Sequence, residues 1–327
     1  MTISILGAGS WSTAIANILA EKDDVLIYAR DQRLADSINS NHINCKYFPD
    51  IKLNEKIRAT SDLKEIYENK YIINGIPTQN IRSVLEKSRD YLCSNHVIIN
   101  LSKGLELNTH KRISEIFNDF NKDIKFAVLS GPSHAEEVIF KMPTTIVCAC
   151  EDESLAKELQ QLFVRDYFRV YSSQDVVGVE LGGAIKNILA FGIGMSSGLG
   201  YGDNAKAALI TRGIHEMNRF AKAFGANPKT INGLAGVGDL IVTATSKHSR
   251  NNRAGILVGQ GLSIEELEKE IHMVVEGIPT TKAVYELAKE KNVELPITNE
   301  IYEVLFEGKD CDQSVKDLMN REIKSEY

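Results

Sequence analysis

A glycine-rich turn near the start of the chain joins an apolar, strand-like segment to a helical segment. Residues 3–6 are apolar and partly β-branched, residues 7–12 read Gly-Ala-Gly-Ser-Trp-Ser, and residues 13–19 continue as an apolar helical stretch. In this strand–turn–helix context Gly7 permits a tight turn, and Gly9 lets the backbone approach a diphosphate at the start of the helix. The turn predicts a dinucleotide-binding βαβ unit.

The last position of this turn departs from the usual fingerprint. Ser12 stands where a third glycine normally allows close packing of the helix on the strand. Because serine is the next smallest polar residue, we keep the dinucleotide interpretation. The alternative is a glycine-rich turn in some other kind of α/β protein.

The end of the second strand-like segment bears on the choice of cofactor. Residues 28–31 read Tyr-Ala-Arg-Asp. An arginine here suits the 2′-phosphate of NADPH, whereas an acidic residue accepts a hydrogen bond from the ribose of NADH. Arg30, with Arg33 close by in sequence, therefore favours NADPH, while Asp31 leaves NADH open. The alternative for Arg30 is an exposed arginine without a ligand.

The pattern of apolar segments changes about half-way along the chain. The first half alternates strand-like runs with amphipathic stretches, which is typical of parallel βαβ units; the runs are residues 3–6, 25–28, 71–74, 97–100, 126–129 and 145–149. Beyond about residue 173 the apolar stretches are helical, at 176–199, 204–224, 263–271 and 280–291. We therefore predict an α/β fold. An N-terminal Rossmann-like doubly wound parallel sheet forms the dinucleotide-binding domain (1–174), followed by an all-helical C-terminal substrate-binding domain (175–327).

Composition indicates a globular protein with a small partner. At 327 residues and 43% hydrophobic composition, the chain can build the cores of roughly two domains. Its formal net charge of -6 argues against nucleic acid or an anionic membrane as the main partner. The five cysteines are scattered and form no C-x-x-C pair, which indicates neither a disulfide framework nor a metal site.

Three further features lead us to expect a cytoplasmic protein without stable membrane insertion. The odd number of cysteines suits a reducing compartment, and the first residues lack the basic region and cleavage site of a signal peptide. The longest uncharged run, residues 187–202, is too short and too rich in glycine for a spanning helix.

One lysine lies in a stretch that otherwise has the pattern of a buried helix. Residues 178–190 are apolar and rich in glycine, apart from Glu180, Lys186 and Asn187. Burying an ammonium group costs several kcal/mol unless the group is paired or its pKa falls. Lys186 therefore belongs either to an internal ion pair, for which Glu180 is a candidate partner, or to a proton-transfer site.

Four further polar segments have the composition of a ligand site, at residues 102–106, 130–133, 236–240 and 246–253. The first two follow predicted strands, and open α/β sheets bind ligands beyond the carboxyl ends of their strands. In the last, Ser249, Arg250 and Asn251 form a donor cluster suited to a phosphate or carboxylate. Taken singly, such segments are more often a solvated lysine, a turn or a charged loop. Their joint occurrence beside the glycine turn favours a hydride-transfer site.

With these motifs, the whole chain resembles the bacterial NAD(P)-dependent sn-glycerol-3-phosphate dehydrogenase family. The similarity lies in segments that follow one another between residue 3 and about residue 308: 7–11, 103–106, 130–133, 179–187, 198–204, 208–213, 233–240 and 249–251. The resemblance implies NAD(P)H-dependent reduction of dihydroxyacetone phosphate to sn-glycerol 3-phosphate, which feeds phospholipid synthesis. It also implies a homodimer.

Residue roles follow from the resemblance motif by motif. It implies that Lys186 is the proton donor and acceptor and that Lys103 and Asp239 are the other catalytic residues. The substrate-binding residues it implies are Lys103, Gly131, Ser133, Lys186, Asp239, Ser249, Arg250 and Asn251. The cofactor-binding residues are Gly7, Gly9, Ser10, Trp11, Arg30, Tyr47, Lys103, Ala135, Arg250, Val274 and Glu276. No metal is implied.

The chain departs from the family pattern on the side of the cofactor. Besides Ser12, it has His134 where the family usually has an aromatic residue. Residues 74–79 read Asn-Gly-Ile-Pro-Thr-Gln, where Val-Pro-Ser-His is more usual. These differences concern the packing around the cofactor rather than the catalytic lysines.

Two other functions compete with this one. A related two-domain reductase that acts on a 3-hydroxy acid would need a histidine–glutamate base pair, for which His134 and Glu136 are the nearest candidates. Residues two apart on a helix point in different directions, so this pair is unconvincing. A nucleotide-sensing protein that has lost its chemistry would not need the lysines and Asp239.

Overall fold

The computed structural model describes residues 1–271, 274–323 and 325–326. The chain divides into two compact units, of which the first comprises Met1–Lys103 and Lys111–Glu180. The second comprises Gly104–His110 and Leu181–Tyr327. The division therefore falls after Glu180, inside a long helix, and a short segment after Lys103 belongs to the second unit.

The first unit is built on an eight-stranded sheet, with a separate two-stranded hairpin. The strands in chain order are β1 (Thr2–Leu6), β2 (Asp24–Tyr28), β3 (Ile43–Asn44), β4 (Phe48–Lys52), β5 (Ile57–Thr60), β6 (Tyr71–Asn74), β7 (Val97–Asn100), β8 (Lys125–Ser130), β9 (Thr144–Cys150) and β10 (Phe168–Ser173). The order across the sheet is β10-β9-β8-β7-β6-β1-β2-β5, and β3 and β4 form the hairpin. Strand β1 pairs in parallel with both β2 and β6. The loops after β1 and β6 therefore lie at a topological switch point, where such sheets bind ligands.

Helices connect these strands. They are α1 (Ser10–Leu19), α2 (Gln32–Asn41), α3 (Leu63–Ile66), α4 (Ile81–Lys87), α5 (Ile113–Phe120), α6 (Ala135–Val138) and α7 (Glu153–Phe163). Aspartates cap three of them: the accepting carboxylates are those of Asp31, from the amide of Arg33 at 3.0 Å, Asp62, from the amide of Lys64 at 2.8 Å, and Asp152, from the amide of Ser154 at 2.9 Å. A carboxylate at this position satisfies amide groups that have no partner inside the helix.

Both faces of the sheet are buried. Ile73 and Ile99 belong to one core cluster, while their neighbours Ile72 and Ile98 belong to another. Since successive side chains of a strand point to opposite faces, the continuous apolar runs of β6 and β7 are explained by helices on both sides.

The prediction of a Rossmann-like, mainly parallel sheet is confirmed, with one local correction and three omissions. Strands β8 and β9 pair antiparallel, because the short α6 connection reverses the chain without a crossover. The sequence pattern missed β5, β10 and the β3–β4 hairpin. Strands β5 and β10 form the two edges of the sheet and alternate buried with exposed residues over most of their length, so they lack the continuous apolar runs of the central strands.

Among its described residues, the second unit contains helices and their connections and no strand, as predicted. Its helices are α8 (Val176–Gly198), which begins in the first unit, α9 (Asp203–Ala223), α10 (Pro228–Ile231), α11 (Asp239–Thr245), α12 (Arg250–Gly259), α13 (Ile264–Glu270), α14 (Gly277–Glu290), α15 (Pro296–Phe306) and α16 (Cys311–Met319). A π-helical turn, Leu234–Gly238, leads directly into α11.

Helix α8 is the core helix on which this unit is organised. It is long and apolar enough to cross a bilayer, but 89% of its most apolar window is buried inside the protein. A side chain at Gly194 would overlap the carbonyl of Asn252, and one at Gly255 would overlap the carbonyl of Phe191. The backbones of α8 and α12 are therefore in direct contact.

Candidate active site

The glycine turn of the first unit has the geometry that a dinucleotide requires. Gly7 has a φ of +98°, which favours glycine, and Gly9 precedes the first residue of α1, Ser10. A Cβ atom built on Gly9 would meet no atom within 4 Å. The first amides of α1 therefore open onto free space, and glycine provides no capping side chain for them. This turn fits the diphosphate of a dinucleotide.

A buried asparagine braces the same turn. Asn44 is fully buried, and its Nδ2 donates to the carbonyl of Ala8 at 3.1 Å and to Thr13 Oγ1 at 2.8 Å. Thr13 Oγ1 in turn donates to the carbonyl of Gly9 at 2.9 Å. Asn44 also accepts from the amide of Tyr47 at 3.2 Å, so one predicted cofactor residue is tied to the residue that holds the turn. The sequence pattern did not single out Asn44.

The other predicted cofactor residues of the first unit differ in exposure. Arg30 is exposed, while Trp11 and Tyr47 are half-buried and pack against the core cluster on one face of the sheet. Ala135 is the first residue of α6, and its side chain is buried in the same cluster. Any contact of Ala135 with a cofactor must therefore come from its backbone.

Three predicted site residues meet at the carboxyl end of β8. Lys103 Nζ donates to the carbonyl of Gly131 at 3.4 Å, and Ser133 Oγ donates to the same carbonyl at 2.9 Å. Gly131 has a φ of +144°, and a Cβ on it would lie 3.0 Å from the Cα of Ile146. Only glycine fits this bend, which lets the chain turn close beside β9 and carry Ser133 to the end of the sheet.

The central feature of the second unit is a buried lysine with two partners. Lys186 is 7% exposed, and its Nζ donates to Asp239 Oδ1 at 2.8 Å and to Thr243 Oγ1 at 2.7 Å. Thr243 Oγ1 also donates to Asp239 Oδ1 at 3.2 Å. Lys186 therefore forms an internal ion pair with Asp239. Glu180, the partner that the sequence offered, binds Arg112 instead.

Close backbone packing brings Asp239 to this lysine. A Cβ on Gly182 of α8 would lie 2.8 Å from the carbonyl oxygen of Ala235, and a side chain at Gly236 would overlap the carbonyl of Ile231. Gly182 thus lets the π-helical turn lie against α8, and Gly236 lets the same turn lie against the end of α10; α11 starts at Asp239 directly after it. Such turns recur at functional sites.

The predicted donor cluster forms the start of α12 rather than a loop. Ser249 is the N-cap residue, and its Oγ accepts from the amide of Asn252 at 3.2 Å. Arg250 is exposed, and its Nη1 donates to the carbonyl of Val274 at 3.2 Å. Arg250 thus retains further donors for an anion, while the Ser249 hydroxyl is largely engaged in the cap.

Asn251 differs from the free phosphate donor that its position suggests. Its Nδ2 donates to Asn187 Oδ1 at 2.9 Å, and its Oδ1 accepts from the amide of Gly277 at 2.9 Å. These bonds link the residue after Lys186 to the start of α14, which follows Val274 and Glu276. Asn251 therefore organises the site, with one amide hydrogen remaining for a ligand.

Two residues of this arrangement escaped the sequence prediction. Thr243 lies four residues after Asp239 on α11, so a search for polar side chains on the same helix face would have found it. Asn187 follows Lys186 directly, but only the fold shows that it holds Asn251. Among the described residues, no group of three or more His, Cys, Asp or Glu side chains is arranged to hold a metal ion.

Comparison with known proteins agrees with this geometry. Models of the NAD-dependent glycerol-3-phosphate dehydrogenase N-terminus and C-terminus match residues 2–156 and 175–316. Glycerol-3-phosphate dehydrogenase [NAD(P)+] of Staphylococcus aureus (strain USA300 / TCH1516) is 50% identical over 99% of both chains, and that of Macrococcus caseolyticus is 46% identical over 100% of both. The crystal structure of glycerol-3-phosphate dehydrogenase from Coxiella burnetii has a TM-score of 0.94 at 36% identity, over 98% of this chain and 99% of that one. The resemblance drawn from the motifs is confirmed, and the chain belongs to the NAD-dependent glycerol-3-phosphate dehydrogenase family.

Proposed function

We propose that the protein reduces dihydroxyacetone phosphate to sn-glycerol 3-phosphate with a reduced nicotinamide cofactor, in a reversible reaction. The observation that carries the proposal is the buried Lys186, held by Asp239 and Thr243. A buried ammonium group with one paired carboxylate is suited to move a proton, and ketone reduction needs one proton for each hydride.

The proposed chemistry at Lys186 is acid–base catalysis. When bound, the cofactor supplies the hydride that reduces the carbonyl carbon. Lys186 Nζ donates a proton to the carbonyl oxygen as negative charge develops there, and accepts it back in the reverse direction. Asp239 offsets the charge of the buried ammonium, and Thr243 fixes its direction, so the proton donor is oriented before substrate arrives.

We assign substrate contacts to residues of each unit in turn. In the second unit, Arg250 is suited to the phosphate because it is exposed and has donors left after its bond to Val274. Ser249 and Asn251 support it at the start of α12. In the first unit we assign Lys103, Gly131 and Ser133 to the substrate, as the family resemblance implies, and Lys103 also to charge stabilisation.

We propose NADPH as the preferred cofactor, without excluding NADH. Asp31, the residue that would serve the ribose of NADH, caps α2 through its bond to the amide of Arg33. Arg30 is exposed beside it and suits a 2′-phosphate. The proposed cofactor-binding domain is residues 1–174 and the proposed substrate-binding domain residues 175–327. A cytoplasmic homodimer that supplies phospholipid synthesis remains a proposal from the resemblance.

One assay tests the reaction and the cofactor together. Purified protein is mixed with dihydroxyacetone phosphate and NADPH, and the absorbance of the reduced nicotinamide is followed; the assay is repeated with NADH. Oxidation that depends on dihydroxyacetone phosphate supports the proposal, and a higher kcat/KM with NADPH supports the preference. Oxidation with a 3-keto acid but not with dihydroxyacetone phosphate, or none at all, would support the rival functions.

A further inference from the structure

We propose that Ser12 and Gly75 form a matched packing pair that positions the glycine turn for the cofactor. This rests on the proposed function, because it takes the turn at residues 7–12 as the cofactor site. Both residues lie in the first unit. They are far apart in sequence but are neighbours in the structure.

Gly75 lies directly against the glycine turn. It follows β6, and its amide donates to the carbonyl of Leu6, the last residue of β1, at 2.9 Å. Its carbonyl oxygen would lie 3.2 Å from a Cβ built on Gly7. Since the backbone of Gly75 approaches the turn at two points, a displacement of Gly75 would displace the turn as well.

Ser12 fills the volume that a side chain at position 75 would need. A Cβ built on Gly75 would overlap Ser12 Oγ and would lie 3.3 Å from Ser12 Cβ. Ser12 is 2% exposed and belongs to the buried face of α1. Rotating the hydroxyl away would remove the overlap with Oγ but not the close approach to Cβ. A side chain at Gly75 therefore requires the Ser12 hydroxyl to turn away and the backbone on one side of this contact to give by a few tenths of an ångström.

The pair explains how a serine is accommodated at the third position of the fingerprint. A glycine there normally lets the helix lie close to the strand. In this chain Ser12 places a side chain on α1, and Gly75, in the loop after β6, has none. The space between the helix and this loop is therefore filled by Ser12. Ser12 is thus a positioning residue, which acts on the cofactor through Gly75 and the turn.

A double-mutant cycle of Gly75→Ala, Ser12→Gly and the double variant tests the pair. For each protein the dissociation constant of NADPH, the KM for dihydroxyacetone phosphate and the Tm are measured. Gly75→Ala is expected to weaken NADPH binding about tenfold or more and to lower the Tm by several degrees, because the overpacked turn moves. Ser12→Gly empties the same gap and is expected to weaken NADPH binding and lower the Tm by less than Gly75→Ala does. The double variant is expected to return to within about threefold of the parent for NADPH, with an unchanged KM for dihydroxyacetone phosphate.

Gly9→Ala is the matched control. Its Cβ would meet no atom within 4 Å, so the Tm is expected to hold while NADPH binding weakens through obstruction of the diphosphate site. The control therefore distinguishes a variant that loses both stability and NADPH affinity, as expected for Gly75→Ala, from one that loses NADPH affinity alone.

The remaining outcomes overturn the proposal. A Gly75→Ala protein within about twofold of the parent in NADPH affinity shows that Ser12 does not restrict position 75. A double variant that is no better than Gly75→Ala, or that fails to fold, shows that the damage arises elsewhere. If the unsubstituted protein binds neither NADPH nor NADH, the proposed function fails, whereas the Tm values of the cycle still report on the packing.

Discussion

Arg112 Nη1 donates to Glu180 Oε2 at 2.8 Å, and the same carboxylate accepts from the amide and the hydroxyl of Ser114 at 2.8 and 2.6 Å. These contacts fix the start of α5 to the second turn of α8 within the first unit. Burial raises the pKa of Glu180, while the Arg112 charge and the Ser114 hydrogen bonds oppose that rise.

Glu180→Ala is expected to lower the free energy of unfolding by about 3 kcal/mol, because it leaves the Ser114 amide without its acceptor and takes from Arg112 its buried carboxylate, although Arg112 keeps its ion pair with Glu115. Glu180→Gln retains an acceptor oxygen and should lose less. Urea unfolding of both variants measures the difference. A loss below about 1 kcal/mol in Glu180→Ala would show that the contacts of Glu180 with Arg112 and Ser114 do not stabilise the fold.

Lys186→Ala should reduce kcat by a factor of about 10²–10⁴ while leaving the dissociation constant of NADPH nearly unchanged, because the proton donor is removed and the turn is not. Steady-state kinetics and a cofactor titration measure the two effects. Lys157→Ala serves as the control, since Lys157 is an exposed lysine that pairs with Glu153 on the surface of α7. Near-normal turnover in Lys186→Ala would remove the catalytic assignment.

Thr243→Val keeps the shape of the side chain but removes the hydroxyl that bonds both Lys186 and Asp239. We expect kcat to fall about tenfold and the pH profile of kcat to shift, because the ammonium group loses one of its two fixed partners. Thr243→Ser keeps the hydroxyl and should retain most activity. Equal kinetics and pH profiles in all three proteins would mean that the hydroxyl does not orient the lysine.

Arg250→Ala and Asn251→Ala should separate binding from structure. Arg250 is exposed, so its loss should raise the KM for dihydroxyacetone phosphate with little change in Tm. Asn251 is 9% exposed and holds Asn187 and Gly277, so its loss should also lower the free energy of unfolding by about 1–3 kcal/mol. An unchanged KM in Arg250→Ala would remove that residue from the phosphate site.

Burial raises the pKa of Tyr67 to about 12 from its ordinary value of 10.0, although the hydrogen bond from Ser88 lowers it. Between about pH 10 and pH 12 the Tyr67 phenol is neutral in the folded protein and ionised in the unfolded chain. The stability from its burial is therefore present below about pH 10 and is lost as the pH rises towards 12. The loss from this group is about 2–3 kcal/mol.

Tyr67→Phe should therefore give a shallower fall of unfolding free energy between pH 10 and 12, as measured by urea unfolding at several pH values. Its cost at neutral pH should be about 1 kcal/mol, since Ser88 Oγ also donates to the carbonyl of Val84. Tyr171→Phe is the control, because Tyr171 is 46% exposed. Equal alkaline slopes in the parent and Tyr67→Phe would contradict the assignment.

The central strands and long helices were predictable because burial on both faces leaves an apolar run that periodicity detects. The runs at 71–74 and 97–100 coincide with β6 and β7. The edge strands escaped because their alternation is short and interrupted by charge, as in β10. Strand β9 pairs antiparallel with β8 because the connection through α6 is short. The pattern of apolar residues does not predict this.

The sequence predicted those residues of the candidate site whose type is unusual for their surroundings. It did not predict the residues that act by holding other residues in place. Lys186 was evident because a lysine is out of place among buried residues. Asn44 and Asn187 were not, because a buried asparagine has no spacing that reveals its partners. The pairing of Ser12 with Gly75 needed the fold, since 63 positions of chain separate the two residues.

The backbone contact between α8 and α12 limits how this protein can be redesigned. Gly194, Gly198, Gly255 and Gly259 each lie where an added side chain would overlap the opposite helix. Neither helix can take a larger residue at these four positions without separating the pair, so a redesign has to keep all four glycines. Attempts to change specificity should instead vary the exposed start of α12 at Arg250, where the backbone is fixed but the side chain is free to differ.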